Sequence, residues 1–332
     1  MGFTTNYSMA AARRDWLAGT APGQHLWGTP HLEAAGWTVR LLPTAESSAS
    51  GRVAAAWRSR AGHLPAQRAA LGGPHSEVLY TADRGSFAGL ALLAALGLTR
   101  RDLVTVIHPS VIVGGVRGRS LRGHRVAIAI SQVVHQDLLA AGRTAADTVY
   151  LPWGPDLAFP GYGASHDDGV VVSSGKTLRD LPTLLAALDG VDAPSVVHLA
   201  GPAVRPAPPQ GQLRVRVPYR EVLADLQRAA VVAIPLSAEA GTVGLTELND
   251  ALALGKPVVM TRNRYLDVDL VGLGIGIVVE PGDVRGWRDA LLLLMNDPAR
   301  RADMGARARA FAESSWNADR FGRGLVEIFD RL

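Results

Sequence analysis

Two glutamates, Glu239 and Glu247, stand eight positions apart, and the segment between them carries glycines at Gly241 and Gly244. An apolar run, 231–235, leads into this loop, and an apolar-periodic segment follows until Gly255-Lys256-Pro257 stops it. A strand that delivers a glycine loop to a helix N-terminus offers backbone N–H groups and a positive dipole end to an anion. Carboxylates on either side of the loop are acceptors for sugar hydroxyls. Together these residue types have the build of a nucleotide-sugar site.

A second cluster lies upstream, where Lys176 and Arg179 follow the apolar run 169–173. A lysine point charge and a forked guanidinium at the mouth of a strand–loop–helix are suited to clamping a diphosphate. Gly175-Lys176-Thr177 is not a P-loop: position 170 is Val170, and Gly169 lies one residue too far away. Near the N-terminus, Gly23 and Gln24 sit in a turn ahead of a helical stretch, as a loop approaching a diphosphate would. His108 ends the apolar run 104–107, and residues that touch ligands gather at the carboxyl ends of parallel strands. Asp267 and Asp269 have metal-binding spacing but read as surface carboxylates in a polar connection. Gly272, Gly274 and Gly276 precede a strand, so they are not dinucleotide glycines.

These residues need elements to position them. The chain alternates strand-like and helix-like segments throughout, which predicts parallel sheets covered on both faces. Strands are expected at 37–42, 78–80, 103–108 and 125–130, then at 169–173, 195–199, 213–217, 230–234, 257–260 and 275–279. Helices are expected at 31–35, 87–96, 132–141, 177–188, 219–229, 245–254, 284–296 and 319–332. A first strand within 2–7 is weak, being short and polar, as a clipped start or an irregular edge would be. Turn-rich residues 156–163 read as a linker between two such halves.

Composition narrows the class. The 332 residues are 48% hydrophobic and 19% charged, as in a well-cored two-domain protein. With no cysteine, disulfides and cysteine-ligated metals are excluded, and the histidines show no metal-ligand spacing. The longest apolar run, near 90–98, is about half the ~18 residues that a membrane helix needs, and no N-terminal signal pattern is visible. A soluble, cytoplasmic protein is the expectation. The net charge is +4, but the arginines are scattered, which argues against nucleic acid as a partner. They cluster only in the glycine-rich loop 114–125, at Arg117, Arg119, Arg122 and Arg125. That loop reads as a solvated one, with an anionic acceptor or a membrane surface as alternatives; peripheral membrane contact is not otherwise indicated.

In order and spacing these pieces resemble the GT-B-fold glycosyltransferases of the retaining glycosyltransferase family 4 type (glycosyl transferases group 1). Glu239 and Glu247 match the E-x7-E motif, and Gly255-Lys256-Pro257-Val258-Val259 the turn and strand after it. Val279-Glu280-Pro281-Gly282-Asp283 resembles the family's "v-pgD" step, and Leu151-Pro152-Trp153-Gly154-Pro155-Asp156 its segment before the linker. The run 314–316 is similar to the "fsw" that precedes the terminal helix. Two departures stand out. Thr242 occupies the usual glycine position, with glycines at 241 and 244 instead, and the basic pair is compressed into Gly175-Lys176-Thr177-Leu178-Arg179-Asp180.

The resemblance implies two Rossmann-like doubly wound parallel-sheet domains facing a cleft. They would be an acceptor domain over 1–157 and a nucleotide-sugar donor domain over 158–315, with a helix at 316–332 crossing back to the first. It implies that Glu247 holds the ribose hydroxyls and Glu239 the transferred sugar. Amides from Gly241, Thr242, Val243, Gly244 and Leu245 would hold the diphosphate; Lys176 and Arg179 would neutralise the leaving group; His108, Gly23 and Gln24 would face the donor. The implied reaction is retaining, metal-independent transfer of a sugar from an NDP-sugar, with UDP as the commonest base, to a hydroxyl of a small-molecule, glycan or lipid-linked acceptor. No cofactor is implied. Rival readings are a GT-B epimerase, a pseudo-glycosyltransferase, and a non-catalytic sugar-nucleotide-binding protein.

Overall fold

The protein is represented by a computed structural model that describes residues 1–44, 63–74, 77–108, 115–163, 165–199, 207, 210–237 and 241–332. Its residues group into two compact units. One comprises Met1–Leu17, Gly23–Trp153 and Ala318–Leu332, and the other Ala18–Pro22 and Gly154–Asn317.

The first unit is built on a six-stranded parallel sheet: β1 (Gly2–Thr4), β2 (Arg40–Leu41), β3 (Leu79–Thr81), β4 (Leu103–Ile107), β5 (Val126–Ala129) and β6 (Thr148–Tyr150), in the order β2-β1-β3-β4-β5-β6. Its helices are α1 (Met9–Leu17), α2 (Thr29–Ala34), α3 (Leu64–Leu71), α4 (Ala88–Ala95), α5 (Gly115–Ser120) and α6 (Gln132–Ala140). The weak first strand of the sequence is a central one here, flanked by β2 and β3. Phe3 supplies its apolar contact and is fully buried, while the Thr4 hydroxyl donates to the Pro43 carbonyl at 3.1 Å. A buried polar side chain that finds an acceptor costs little, which is why a polar strand is tolerated at that position.

The second unit has its own six parallel strands: β7 (Val170–Ser173), β8 (Ser195–Leu199), β9 (Gly211–Val215), β10 (Ala229–Ile234), β11 (Val258–Thr261) and β12 (Gly276–Val279). They lie in the order β12-β11-β10-β7-β8-β9. Renumbered within the unit, this is the Rossmann order 3-2-1-4-5-6, and the order reverses between β7 and β10. The helices are α7 (Leu181–Leu188), α8 (Tyr219–Gln227), α9 (Leu245–Ala253), α10 (Val284–Met295) and α11 (Pro298–Ser315). The core under α7 and α10 centres on Trp287, fully buried with Leu184, Leu291 and Leu294.

The last helix, α12 (Ala318–Phe329), groups with the first unit. Phe321 packs against Trp27, and Phe329 against Tyr80 and Trp37, with ring centroids 5.2–6.1 Å apart. Several elements depart from the sequence reading. Helix α7 starts at Leu181, not at 177, because Asp180 caps it through the Thr183 N–H and Pro182 sits in its first turn. Helix α11 was not expected, since its 18 residues are polar on most sides. Asp297, accepting from the Arg300 N–H at 2.9 Å, together with Pro298, was its sequence signal. Helices α1, α3 and α5 and strand β6 also escaped the periodicity, each being short; α5 lies within 114–125, which read as a loop.

Candidate functional site

In a doubly wound sheet, ligands bind beyond the carboxyl ends of the strands where the strand order reverses. In the second unit this point lies between β7 and β10, and the described residues that follow these strands are 174–180 and, for β10, 235–237 and 241–244. Both candidate clusters of the sequence occupy them. The loops are stitched together: Leu178 accepts from the Ser237 N–H at 3.0 Å, Pro235 accepts from the Asp180 N–H at 3.2 Å, and Arg179 and Leu236 form an antiparallel bridge.

The stitching turns Arg179 inward. Its guanidinium lies 2.6 Å from the Glu247 carboxylate, and the two side chains are only 6% and 12% exposed. Arg179 also donates to the carbonyls of Ser174, at 3.2 Å, and Thr177, at 2.5 Å. Gly175 takes φ +110°, and a Cβ there would collide with the Arg179 guanidinium and the Glu247 carboxylate. Glycine is therefore required where the loop crosses the ion pair. Lys176 is exposed in the same loop, one residue further on.

Glu247 stands in the first turn of α9, whose N-cap is Gly244 at φ +91° with no side chain capping the helix. First-turn amides that lack a side-chain cap are open to an anionic ligand. The loop ahead of the helix is held from behind. Asn263 donates its amide to the carbonyls of Gly241, at 2.7 Å, and Val243, at 3.3 Å, while its own oxygen accepts from the Tyr265 N–H. The Thr261 hydroxyl accepts from the Leu236 N–H at 2.9 Å. Sequence reading missed Asn263 and Thr261. Their signal was a polar residue at and just past the carboxyl end of β11, the strand beside β10.

Helix α9 carries polar groups on its buried side as well. The Asn249 amide oxygen accepts from the Trp316 indole at 3.0 Å. Asp250, fully buried one turn after Glu247, accepts from the Tyr162 hydroxyl at 2.6 Å and the Tyr219 hydroxyl at 3.0 Å through the same oxygen. Burial raises the Asp250 carboxyl to about 7, despite the two tyrosine hydrogen bonds that oppose the rise. Lys256, at the stop of the same helix, is buried and donates to the carbonyls of His166, at 2.6 Å, and Ala229, at 2.8 Å. Burial lowers it to about 8. Residues 156–163, read as a linker, contribute the buried Tyr162 to this unit.

The remaining predicted residues belong to the first unit and gather around Trp27. His108, at the end of β4, faces the Ala82 carbonyl through Nε2 at 3.0 Å and meets the Trp27 ring edge-on at 6.1 Å. Burial lowers its pKa, which favours the neutral imidazole. Trp27 stacks on Trp153 at 5.0 Å, and the Trp153 indole donates to the Gln24 carbonyl at 3.0 Å. Gln24 itself is buried within the 3-10 turn Gly23–Leu26. Glu239 lies outside the described residues. Asp269, which accepts from the Gly272 N–H at 2.9 Å, is an exposed turn cap. Among the described residues, no group of three or more His, Asp or Glu side chains is arranged to hold a metal.

Two doubly wound parallel sheets in one chain, with a basic loop and a glycine-led helix converging at the switch point of the second, define the GT-B glycosyltransferase fold. The sequence model of the glycosyl transferases group 1 family matches residues 212–311, a span within the second unit that contains Glu239, residues 241–245 and Glu247. The chain is 32% identical over 117 residues to a GDP-mannose-dependent monoacylated alpha-(1-6)-phosphatidylinositol monomannoside mannosyltransferase of Corynebacterium glutamicum, a match covering 34% of this chain and 30% of the relative. It is 40% identical over 138 residues to a D-inositol 3-phosphate glycosyltransferase of Kineococcus radiotolerans, covering 39% of this chain and 29% of the relative. The chain thus spans about 30% of the length of these curated relatives. Among solved structures it resembles a sucrose-phosphate synthase from Thermosynechococcus elongatus, with a TM-score of 0.72, 14% identity and 94% coverage of both chains. It also resembles Anabaena HepE, solved in complex with UDP-glucose, with a TM-score of 0.65, 16% identity and coverage of 100% of this chain and 99% of that one. At such identities these likenesses concern the fold.

Proposed function

We propose that the chain transfers a sugar from a nucleotide-diphosphate sugar to an acceptor hydroxyl, with retention of configuration and without a metal. The observation that carries this reading is the convergence of Arg179, Lys176 and the Gly241–Leu245 loop beside Glu247 at the switch point of the second sheet. In this reading the diphosphate lies against the N-terminus of α9, where the dipole and the two cations stabilise negative charge as the sugar bond breaks. Glu247 exchanges its ion pair with Arg179 for the ribose hydroxyls. The freed guanidinium turns to the phosphate, where a bidentate contact suits its fork. Glu239 holds the transferred sugar, and the acceptor attacks an oxocarbenium-like centre from the face that the diphosphate leaves.

The proposed donor is a UDP-sugar, acting in the cytoplasm, and the acceptor is a small molecule, a glycan or a lipid-linked sugar. UDP and GDP are the bases to compare first, because the Corynebacterium relative is named for GDP-mannose and HepE was solved with UDP-glucose. Thermal-shift titration with UDP, GDP, ADP and dTDP tests the reading. A base present at about 100 times its dissociation constant adds about 2.7 kcal/mol of stability. A chain that none of the four stabilises does not bind nucleotide here, and the reading fails. Product analysis with the matching NDP-sugar then separates transfer from epimerisation, which needs no acceptor.

A further inference from the structure

Helix α4 is Ala-Gly-Leu-Ala-Leu-Leu-Ala-Ala, without one polar side chain, yet only Leu90 and Ala91 of it are buried. A helix apolar all round belongs in a core or against another apolar phase. This one lies at the surface, and its outward residues continue into the next turn: Leu93 is 37% exposed, Leu96 62% and Leu98 70%. Scattered surface leucines need no explanation, but three within six residues on a helix lacking a polar face form a patch.

The patch is edged by cations. The short turn at Leu121–Gly123 packs directly on α4, where a Cβ at Gly123 would overlap the Ala91 carbonyl. This contact sets Arg122 and Arg125 beside the helix, and α5, which carries Arg119, packs on α4 as well. With Arg100, Arg101 and Ala94 they line an open depression of about 310 Å³, which Asp102, His124 and Asp147 complete. The two carboxylates neutralise only part of it, Asp102 pairing with Arg125. Asp147 is engaged at 3.2 Å by the buried Arg143, and Asp102 lies 3.8 Å from Arg125. Arg101 is used internally, donating to the carbonyls of Leu71, Gly73 and Pro74. Arg100, Arg119 and Arg122 are exposed, and no carboxylate pairs with them among the described residues.

We propose that this face, formed by Leu93, Leu96 and Leu98 with Arg100, Arg119 and Arg122, docks on the surface of an anionic lipid bilayer. Leucines that enter the acyl boundary and arginines that reach headgroup phosphates are the two components of interfacial binding, and both are present on adjoining elements. The contact is peripheral: no helix of the described residues is long and apolar enough to cross a membrane. The docking stands independently of the sugar-transfer reading, because it uses none of that site's residues.

Co-sedimentation of the full chain with phosphatidylcholine vesicles, with and without phosphatidylglycerol, tests it. Anionic vesicles are expected to bind at least tenfold more tightly than neutral ones. The preference should fade as salt shortens the screening length from about 30 Å at 0.01 M to about 3 Å at 1 M. Leu96→Asp with Leu98→Asp, and separately Arg119→Glu with Arg122→Glu, should each weaken binding at least tenfold while leaving the unfolding midpoint and nucleotide affinity unchanged. Equal binding to both vesicle types, or none, overturns the proposal. So does retention of binding in both variants. Sedimentation-velocity evidence of self-association that Leu96→Asp with Leu98→Asp abolishes would assign the face to a second copy instead. Vesicle binding that persists when no nucleotide binds would sink the sugar-transfer reading alone.

Discussion

The Arg179 guanidinium and the Glu247 carboxylate meet at 2.6 Å across the loop of Gly175. The cation proposed for the diphosphate and the anion proposed for the ribose therefore satisfy each other. Removing either leaves a largely buried charge alone, at a cost of about 3–5 kcal/mol. Glu247→Ala and Arg179→Ala should each lower stability by an amount of this order. The double variant should lose clearly less than the sum, with a coupling of about 1–3 kcal/mol in denaturant unfolding. Both single variants should also lose nucleotide affinity by at least about tenfold. Unchanged nucleotide affinity in Glu247→Ala would remove the central assignment.

Asn263 holds the carbonyls of Gly241 and Val243 from β11's side of the loop. Two such hydrogen bonds contribute about 1–3 kcal/mol together. Asn263→Ala should weaken nucleoside diphosphate binding by about tenfold or more and leave that of the free nucleoside nearly unchanged, as isothermal titration would show. Equal weakening of both would mean that Asn263 supports the whole unit and not the diphosphate loop.

The buried Asp250 gives a pH dependence of known sign. Its carboxyl titrates near 7 in the folded chain, above the usual 3.8, so the folded state binds the extra proton between these values. This group therefore lowers stability as pH rises from about 4 to about 7, with a slope of at most about 1.4 kcal/mol per pH unit. Asp250→Asn keeps an acceptor for Tyr162 and Tyr219 and removes the titration. Chemical denaturation across that range should show the slope flattened in the variant.

In the first unit, Trp153 joins the Gly23–Leu26 turn to Trp27 by stacking and by its indole hydrogen bond. Trp153→Ala should destabilise by about 3–5 kcal/mol. Trp153→Phe should cost less, because the stack is kept and only the bond to Gln24 is lost. Thermal unfolding of the two variants, side by side, checks the order.

Most of the second half of the chain, α11 and the start of α7 apart, was legible in its sequence because its elements state their own limits. Strands β7, β8, β10 and β11 are near-continuous apolar runs, and α9 ends at Gly255 with φ +62°. Residue types alone placed Lys176, Arg179, the Gly241–Leu245 loop and Glu247 on loops and a helix start. The first half was less legible. Its strand β1 has three residues, and whether so short a segment is central or marginal depends on partners at 40–41 and 79–81.

Sequence by itself determined the alternation of strands and helices, the glycine loop ahead of α9 and the types of residue available for a phosphate and sugar site. Those follow from local rules of period, capping and backbone freedom. Tertiary structure decided that β7 and β10 are neighbours, that Arg179 meets Glu247, and that Asn263 stands behind the loop. It also decided that the apolar helix α4 faces outward beside Arg122. The physical reason is distance along the chain: the residues paired at the site are 68 positions apart (Arg179 to Glu247) and come together only through the order of the sheet. No local pattern encodes which strand lies beside which.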